Sequence, residues 1–390
     1  MIASIKIRNF RAIKGTPRIG LSSFHVLVGP NGSGKTSFLD AIEFVKACLV
    51  RGPVKAVEER APEFRDLTFM RRGGPIDFEL TLEQIDRASQ SFRTLHYRLI
   101  LVSDEKLGVR VAEELLSGTP RTSGGNGTRL VGKTRPGKDF YRRESGTYAD
   151  SFQFGPDKLA LSMTPPDWER YPTANAAKEF LASGVRYIQL NSVAMRQPAP
   201  ATRSTELDLD GTNLARVVGR LLRDKSRTGG KRSIEQWTNH LRYALEDLES
   251  IGWAARKPDN AEYLTLKYRG GLECPAYLLS DGTLRMLALT LPAFLDGPSS
   301  LYMVEEPENG VHPHALEIIL KALRAIPGAQ VFIATHSPLV VQQVEAGSLL
   351  CFTRSEENGV SIASGKSHPA LKDWDGTPDL ASIFISRILG

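Results

Sequence analysis

Cysteine is scarce: the 390 residues hold three, Cys48, Cys274 and Cys351, far apart and without any C-x-x-C spacing. An odd number of scattered thiols argues against a disulfide framework and against a cysteine-based zinc site, so reduced, buried thiols are expected. Long apolar runs are missing as well, and no stretch approaches the roughly 20 residues that a membrane-spanning helix needs. The opening residues Met1-Ile2-Ala3-Ser4-Ile5-Lys6-Ile7-Arg8 alternate like a strand and lack the charged-then-apolar order of a signal peptide. A cytoplasmic chain without membrane contact is the expectation. Neither sign of charge dominates: 50 Lys and Arg against 44 Asp and Glu leave a formal +6, which by itself is weak evidence for a nucleic-acid partner. Internal repeats and heptads are also lacking, which disfavours solenoids and long coiled coils. What remains is a globular composition, 41% hydrophobic and 24% charged, long enough for one large domain or two to three smaller ones.

Against these absences, Gly29-Pro30-Asn31-Gly32-Ser33-Gly34-Lys35-Thr36 matches G-x-x-x-x-G-K-[ST] in full. It follows the apolar stretch 24–28 and precedes the helix-like 37–42, as a phosphate loop between a buried strand and a helix N-terminus requires. The backbone around Gly29, Asn31, Gly32, Ser33, Gly34 and Ser37 is expected to wrap the phosphates of ATP, with Lys35 reaching the β and γ phosphates and Thr36 ligating Mg2+.

Residues 1 to 45 read strand, turn, strand, loop, helix, and Asp40, Glu43 and Lys46 give that helix a polar face opposite Phe38, Ala41, Ile42 and Val45. Alternation over 76–83 and 92–102, with 109–116, predicts antiparallel strands. The Gly- and Arg-rich 117–150 predicts a long hairpin or partly mobile loop turning at Gly124–Gly127. Helical spacing returns at 174–182 and dominates 213–250, where Leu214, Val217, Val218, Leu221, Ile234, Trp237, Leu241 and Leu248 share one face. Apolar strands at 300–304 and 330–335, with a crossover helix at 315–326, suit the centre of a parallel sheet.

Three further constellations carry chemistry. Glu305-Glu306 closes an apolar strand, where a P-loop ATPase places an acid that organises Mg2+ and a second acid that orients attacking water; Glu306 is the expected catalytic base. Ser280-Asp281-Gly282 opens a helix, offering a hydroxyl and backbone N–H groups to a phosphate, although the same residues serve as an ordinary helix cap. His336 ends a second buried strand and is placed to sense a γ-phosphate. His312-Pro313-His314 beside three glutamates suggests a metal site less well, because Pro313 restricts the geometry and no further cluster follows.

Taken in order, phosphate loop, long insertion, Leu-Ser-Asp-Gly-Thr, Glu-Glu strand end and Thr-His-Ser-Pro resemble the ABC-type ATPase heads of RecF-like, SMC-like and OLD-like proteins. The run from Glu305 to Pro313 and the run from Ala334 to Pro338 resemble the bacterial AAA-21 and AAA-15 ATPases. The resemblance implies an α/β P-loop fold of ABC-ATPase type with an antiparallel β layer and a helical insertion. It divides the chain into 1–116 and 269–390, the two parts of the head, and 117–268, the insertion. It also implies that Ser280, Asp281 and Gly282 form the signature contacting the γ-phosphate held by a second copy, that Glu305 with Thr36 holds Mg2+, that Lys35, Glu306 and His336 are catalytic, and that Arg11 approaches the nucleotide of the same or the opposite subunit. Departures are Glu305 where Asp is usual, Asp281 where Gly is usual, Thr283 where Gln is usual, and no clear Q-loop, with Gln84 and Gln90 as candidates. Partners implied are a second copy of the chain, DNA, and a separate effector such as a nuclease in DNA repair or anti-phage defence. Two basic runs, 128–143 and 220–232, fit phosphate tracking; a nucleotide-switched scaffold that gates an effector is the alternative, and a transporter subunit is disfavoured by the large insertion.

Overall fold

The computed structural model describes residues 1–85, 92–120, 129–135, 138–142, 149–152, 155–224, 229–297, 300–355, 357–368 and 384. Alternating apolar residues build a first, antiparallel layer. Ile2–Phe10 pairs with Ile76–Glu83, with Ile5 opposite Leu80 and Ile7 opposite Phe78, and Ile76–Glu83 pairs in turn with Phe92–Asp104. Outward-facing charges close a ladder across these strands: Lys6 with Glu79 at 3.3 Å, Arg18 with Glu79 at 2.8 Å and Arg98 with Asp77 at 3.0 Å. The sheet continues through Gly108–Pro120, Arg129–Arg135, Lys138–Arg142 and Ala149–Phe152. Much of the stretch expected as a hairpin or mobile loop is therefore strand, while Gly124–Gly127 and Arg143 lie outside the described residues.

The second layer is a six-stranded sheet in the order Val185–Ile188, Leu301–Glu305, Gln330–Ala334, Phe24–Val28, Leu349–Ser355, Gly359–Ser364, parallel except for the last pairing. Between the two sheets runs the phosphate-loop helix, Lys35–Arg51. Phe38 packs against Phe332 and Phe352 of the parallel sheet, and Phe44 against Phe10 and Phe78 of the antiparallel one. A helix covered on both sides has no solvated stripe, so the expected polar face is instead an internal ion-pair network. Asp40 is 7% exposed and meets Arg11 and Arg60, each at 2.8 Å. Glu43 meets Lys46 at 3.5 Å, and burial pushes the Glu43 carboxyl above its ordinary pKa.

The other face of the parallel sheet is covered by Leu214–Arg223, Gly230–Leu241, Asp281–Thr290 and Pro313–Arg324. Trp237 is fully buried there and donates from Nε1 to Thr290 Oγ1 at 2.8 Å, satisfying its polar atom. The helical spacing to Ser250 overran: Leu248–Ala255 is a strand, paired with Glu262–Tyr268 and then Glu273–Pro275 in a small antiparallel sheet. Leu248 is buried from that strand, so an inward residue at helical spacing was shared by two elements. Cys48 and Cys351 are buried and Cys274 is half-buried, all three as free thiols.

Removing Asp40 leaves two guanidinium groups without their shared acid inside the protein. Asp40→Ala should lower stability by about 3 to 5 kcal/mol, read as a fall in the urea midpoint at unchanged slope; a fall below about 1 kcal/mol would show that the pairs are solvated surface contacts.

Candidate functional site

The site follows from strand register. Glu305 stands opposite Ala334, and Ala334 opposite Leu27, so three parallel strands end in line and release Glu306, Thr335-His336 and Gly29 on one edge. Those ends and the phosphate loop enclose a cleft of about 410 Å3 lined by Asn31 to Ser37, Glu305, Glu306, His336, Ala12 and Arg354. The loop closes tightly because Gly34 adopts φ 104, and a Cβ there would lie 2.4 Å from Val360. Only glycine fits both conditions.

Lys35 is 6% exposed, and its Nζ donates to the carbonyls of Gly29 at 2.7 Å and Pro30 at 3.1 Å. Burial lowers its pKa to about 8, against the opposing pull of Glu306 and Glu305. Thr36 presents itself to the cleft from the first turn of the helix. Glu305 Oε1 is buried without a hydrogen-bond partner among the described residues, the state of an acid shaped to receive a cation. The hydroxyl of Tyr187 hydrogen-bonds Glu305, and burial with that nearby carboxylate raises the Tyr187 pKa.

Glu306 adopts φ 46, an uncommon backbone for a side chain of this size. Its amide donates to Ala334 O at 2.8 Å, its carbonyl accepts from Arg285 at 3.2 Å, and its carboxylate accepts from Asn309 Nδ2. Glu308 anchors the neighbouring strand end, accepting from Thr335 Oγ1 at 2.6 Å and from the His336 amide at 3.0 Å. Burial, then Lys35, lower the His336 pKa, which leaves its imidazole neutral near pH 7.

Other expected residues lie elsewhere. Arg11 is paired with Asp40 and does not line the cleft, although its neighbour Ala12 does. Ser280 caps its helix, accepting from the Thr283 amide at 3.1 Å and sharing a hydrogen bond with Thr283 Oγ1 at 2.8 Å. Asp281 is ion-paired with Arg196, and a Cβ on Gly282 would lie 2.4 Å from Gly310 O, so this helix end butts against the turn after Glu306. None of Ser280, Asp281 and Gly282 lines the cleft of its own chain. Gln84 is an exposed bend with φ 51 away from the cleft, and Gln90 lies outside the described residues. His312 Nδ1 accepts from the His314 amide, and the described residues hold no cluster of three or more metal-ligating side chains.

Sequence reasoning missed the roles of Glu308, Arg285, Arg196 and Arg354. Arg354 carried a usable signal, since it closes an apolar strand as Glu305 and His336 do; the other three act through contacts distant in sequence.

Two family models match the chain: "AAA domain, putative AbiEii toxin, Type IV TA system" over residues 174–342, and "AAA ATPase domain" over residues 1–85. The chain is therefore similar to AAA-type ATPase domains in two stretches. Among curated relatives, it is 30% identical to Arcadin-4 of Pyrobaculum calidifontis over 145 residues, 36% of this chain and 16% of that protein. It is 35% identical to the chromosome partition protein Smc of Methanococcus voltae over 82 residues, 21% of this chain and 6% of that protein. The matches therefore span only a small part of those relatives. Two solved structures share the fold at 14% identity: an Smc head bound to the C-terminal winged-helix domain of ScpA, with TM-score 0.56, 93% of this chain and 97% of that one covered, and an Smc head with an extended coiled coil bound to the C-terminal domain of ScpA from Pyrococcus furiosus, with TM-score 0.54 and 93% and 95% covered.

The lowered pKa of Lys35 gives the cleft a pH signature. Its charged form binds phosphate, so ATP affinity should be level below about pH 8 and weaken by up to about tenfold per unit above it. Calorimetry should record proton uptake on binding there; Lys35→Ala should lose both the affinity and its pH dependence, and a flat wild-type profile to pH 9.5 would reject the assignment.

Proposed function

We propose that the chain binds and hydrolyses ATP at an interface between two copies of itself. The observation that carries this reading is the split of the motifs: phosphate loop, Glu305, Glu306 and His336 share one cleft, while Ser280, Asp281 and Gly282 end a helix outside it. A helix N-terminus with an exposed hydroxyl completes a phosphate shell only from a second chain. Lys35 exchanges the carbonyls of Gly29 and Pro30 for the phosphates, a charge-assisted contact stronger than the ones it gives up. Thr36 and Glu305 would hold Mg2+, which would neutralise phosphate charge; the orphaned Glu305 oxygen fits that role. Glu306 orients and deprotonates the attacking water, with its backbone pinned by Ala334 and Arg285. His336, neutral and seated through Glu308, donates one ring N–H hydrogen bond to a γ-phosphate oxygen. Asp281 adds no net repulsion to the second copy's phosphates, because Arg196 balances it.

Glu306→Gln should bind ATP and lose roughly two to four orders of magnitude in turnover. Ser280→Arg should bind ATP yet fail to dimerise, and mixing the two variants should restore part of the turnover, since one composite site then has an intact Glu306 facing an intact Ser280. Hydrolysis and light scattering read both; full activity of monomeric Ser280→Arg would defeat the shared site.

The reading extends to nucleic acid, as the ATPase subunit of a DNA repair or anti-phage system with a separate effector nuclease. Its support is the second basic run, where Arg220, Lys231 and Arg232 are exposed. Arg223 is committed elsewhere, bonding Glu262 at 3.0 Å and stacking 4.2 Å over Trp253, and Lys225 and Arg227 lie outside the described residues. Lys231→Glu with Arg232→Glu should weaken DNA binding with little change in melting temperature, and wild-type affinity should fall steeply with salt. Salt-independent or absent binding would turn the reading to a nucleotide-switched scaffold that gates its effector.

A further inference from the structure

Arg354 stands at the rim of the nucleotide cleft on an element that no sequence motif marked. The strand Leu349–Ser355 runs parallel to the strand feeding the phosphate loop, with Cys351 opposite Val28. It returns through Gly359–Ser364, which sets Arg354 opposite Val360. Val360 is the residue pressed against Gly34, and its amide donates to Ala12 O at 3.3 Å. The hairpin is thus fixed to the loop and to the turn at Ala12, and Arg354 projects from a backbone with little freedom. Its guanidinium lines the cleft and donates to Gly32 O at 3.4 Å, a long bond that costs little to release.

Charge explains what the side chain is for. Lining the cleft are Glu305 and Glu306, two negative charges, against Lys35 and Arg354, two positive charges, with His336 neutral. Without Arg354 these side chains would sum to one net negative charge. Lys35 approaches from beneath the loop, tied to Gly29 and Pro30, whereas Arg354 reaches the Gly32 side; the two cations flank the loop.

Resting on the reading of this cleft as the nucleotide site, we propose that Arg354 leaves Gly32 O when nucleotide binds and grips the phosphate chain as a second cation, setting affinity for nucleoside di- and triphosphates. A guanidinium offers two parallel N–H donors to phosphate oxygens, which an ammonium cannot.

Calorimetry with ATP, ADP and adenosine on wild type, Arg354→Ala and Arg354→Lys tests this. Arg354 is exposed, so its replacement should leave the fold intact. Arg354→Ala should weaken ATP and ADP roughly 10- to 100-fold, leave adenosine unaffected, and raise KM by more than it lowers kcat; Arg354→Lys should recover part of the affinity. Unchanged ATP and ADP affinity in Arg354→Ala, or an equal loss for adenosine, would overturn the proposal. Wild type that binds none of the three would overturn the nucleotide reading of the cleft, and this inference with it.

Discussion

Everything at the nucleotide edge depends on one row of backbone pairing, Glu305 to Ala334 to Leu27. Because side chains alternate with a period of two, a slip of one residue in any of these parallel strands would turn its terminal functional group to the opposite face. Burial supports that register: Met303, Phe332, Ile333, Val26 and Leu27 are essentially inaccessible. The apolar strands therefore fix the distances among a lysine, two glutamates and a histidine that have no strong attraction of their own to hold them so.

The phosphate-loop helix transmits that order to the rest of the molecule. Its aromatic residues key into both sheets, and its one deeply buried acid, Asp40, draws Arg11 from the turn after Ile2–Phe10 and Arg60 from the turn after the short helix Pro53–Glu58 into a single cluster. Charged groups this deep are tolerated because each is paired. Arg11 is engaged there by Asp40 and does not line the cleft of its own chain. The network makes the position of the loop answer to the antiparallel layer as well as to the parallel one.

The phosphate loop, the Glu-Glu strand end and the strand closed by His336 were legible because each couples an apolar run to a chemical motif in contiguous residues. The crossover helix and the first antiparallel strands were legible for the same reason. The end of the helical region was not: Leu248 continues a helical spacing while belonging to a strand whose partner, Leu264 to Tyr268, lies about twenty residues on, and periodicity carries no information about partners. The polar face of the loop helix misled similarly. Asp40, Glu43 and Lys46 have the spacing of a solvated stripe, and only the second sheet, packed from the far side, makes that stripe interior. Arg196 and Glu308 work across gaps in sequence that no local pattern bridges.

The contact between the Ser280 helix and the turn after Glu306 bears on how two sites would communicate. Gly282 fits against Gly310 with no room for a side chain, and Arg285, one turn further along that helix, holds the carbonyl of Glu306. Glu306 is itself in a backbone conformation that costs energy unless its surroundings enforce it. A force applied to the helix end, where an incoming phosphate would meet Ser280, is thus applied through two rigid contacts to the backbone of Glu306, the residue proposed to orient water in the same chain's own cleft. Closure on one nucleotide would then adjust the acid serving the other. Such reciprocity needs no long pathway, since a single helix turn, a glycine contact and one guanidinium span the distance.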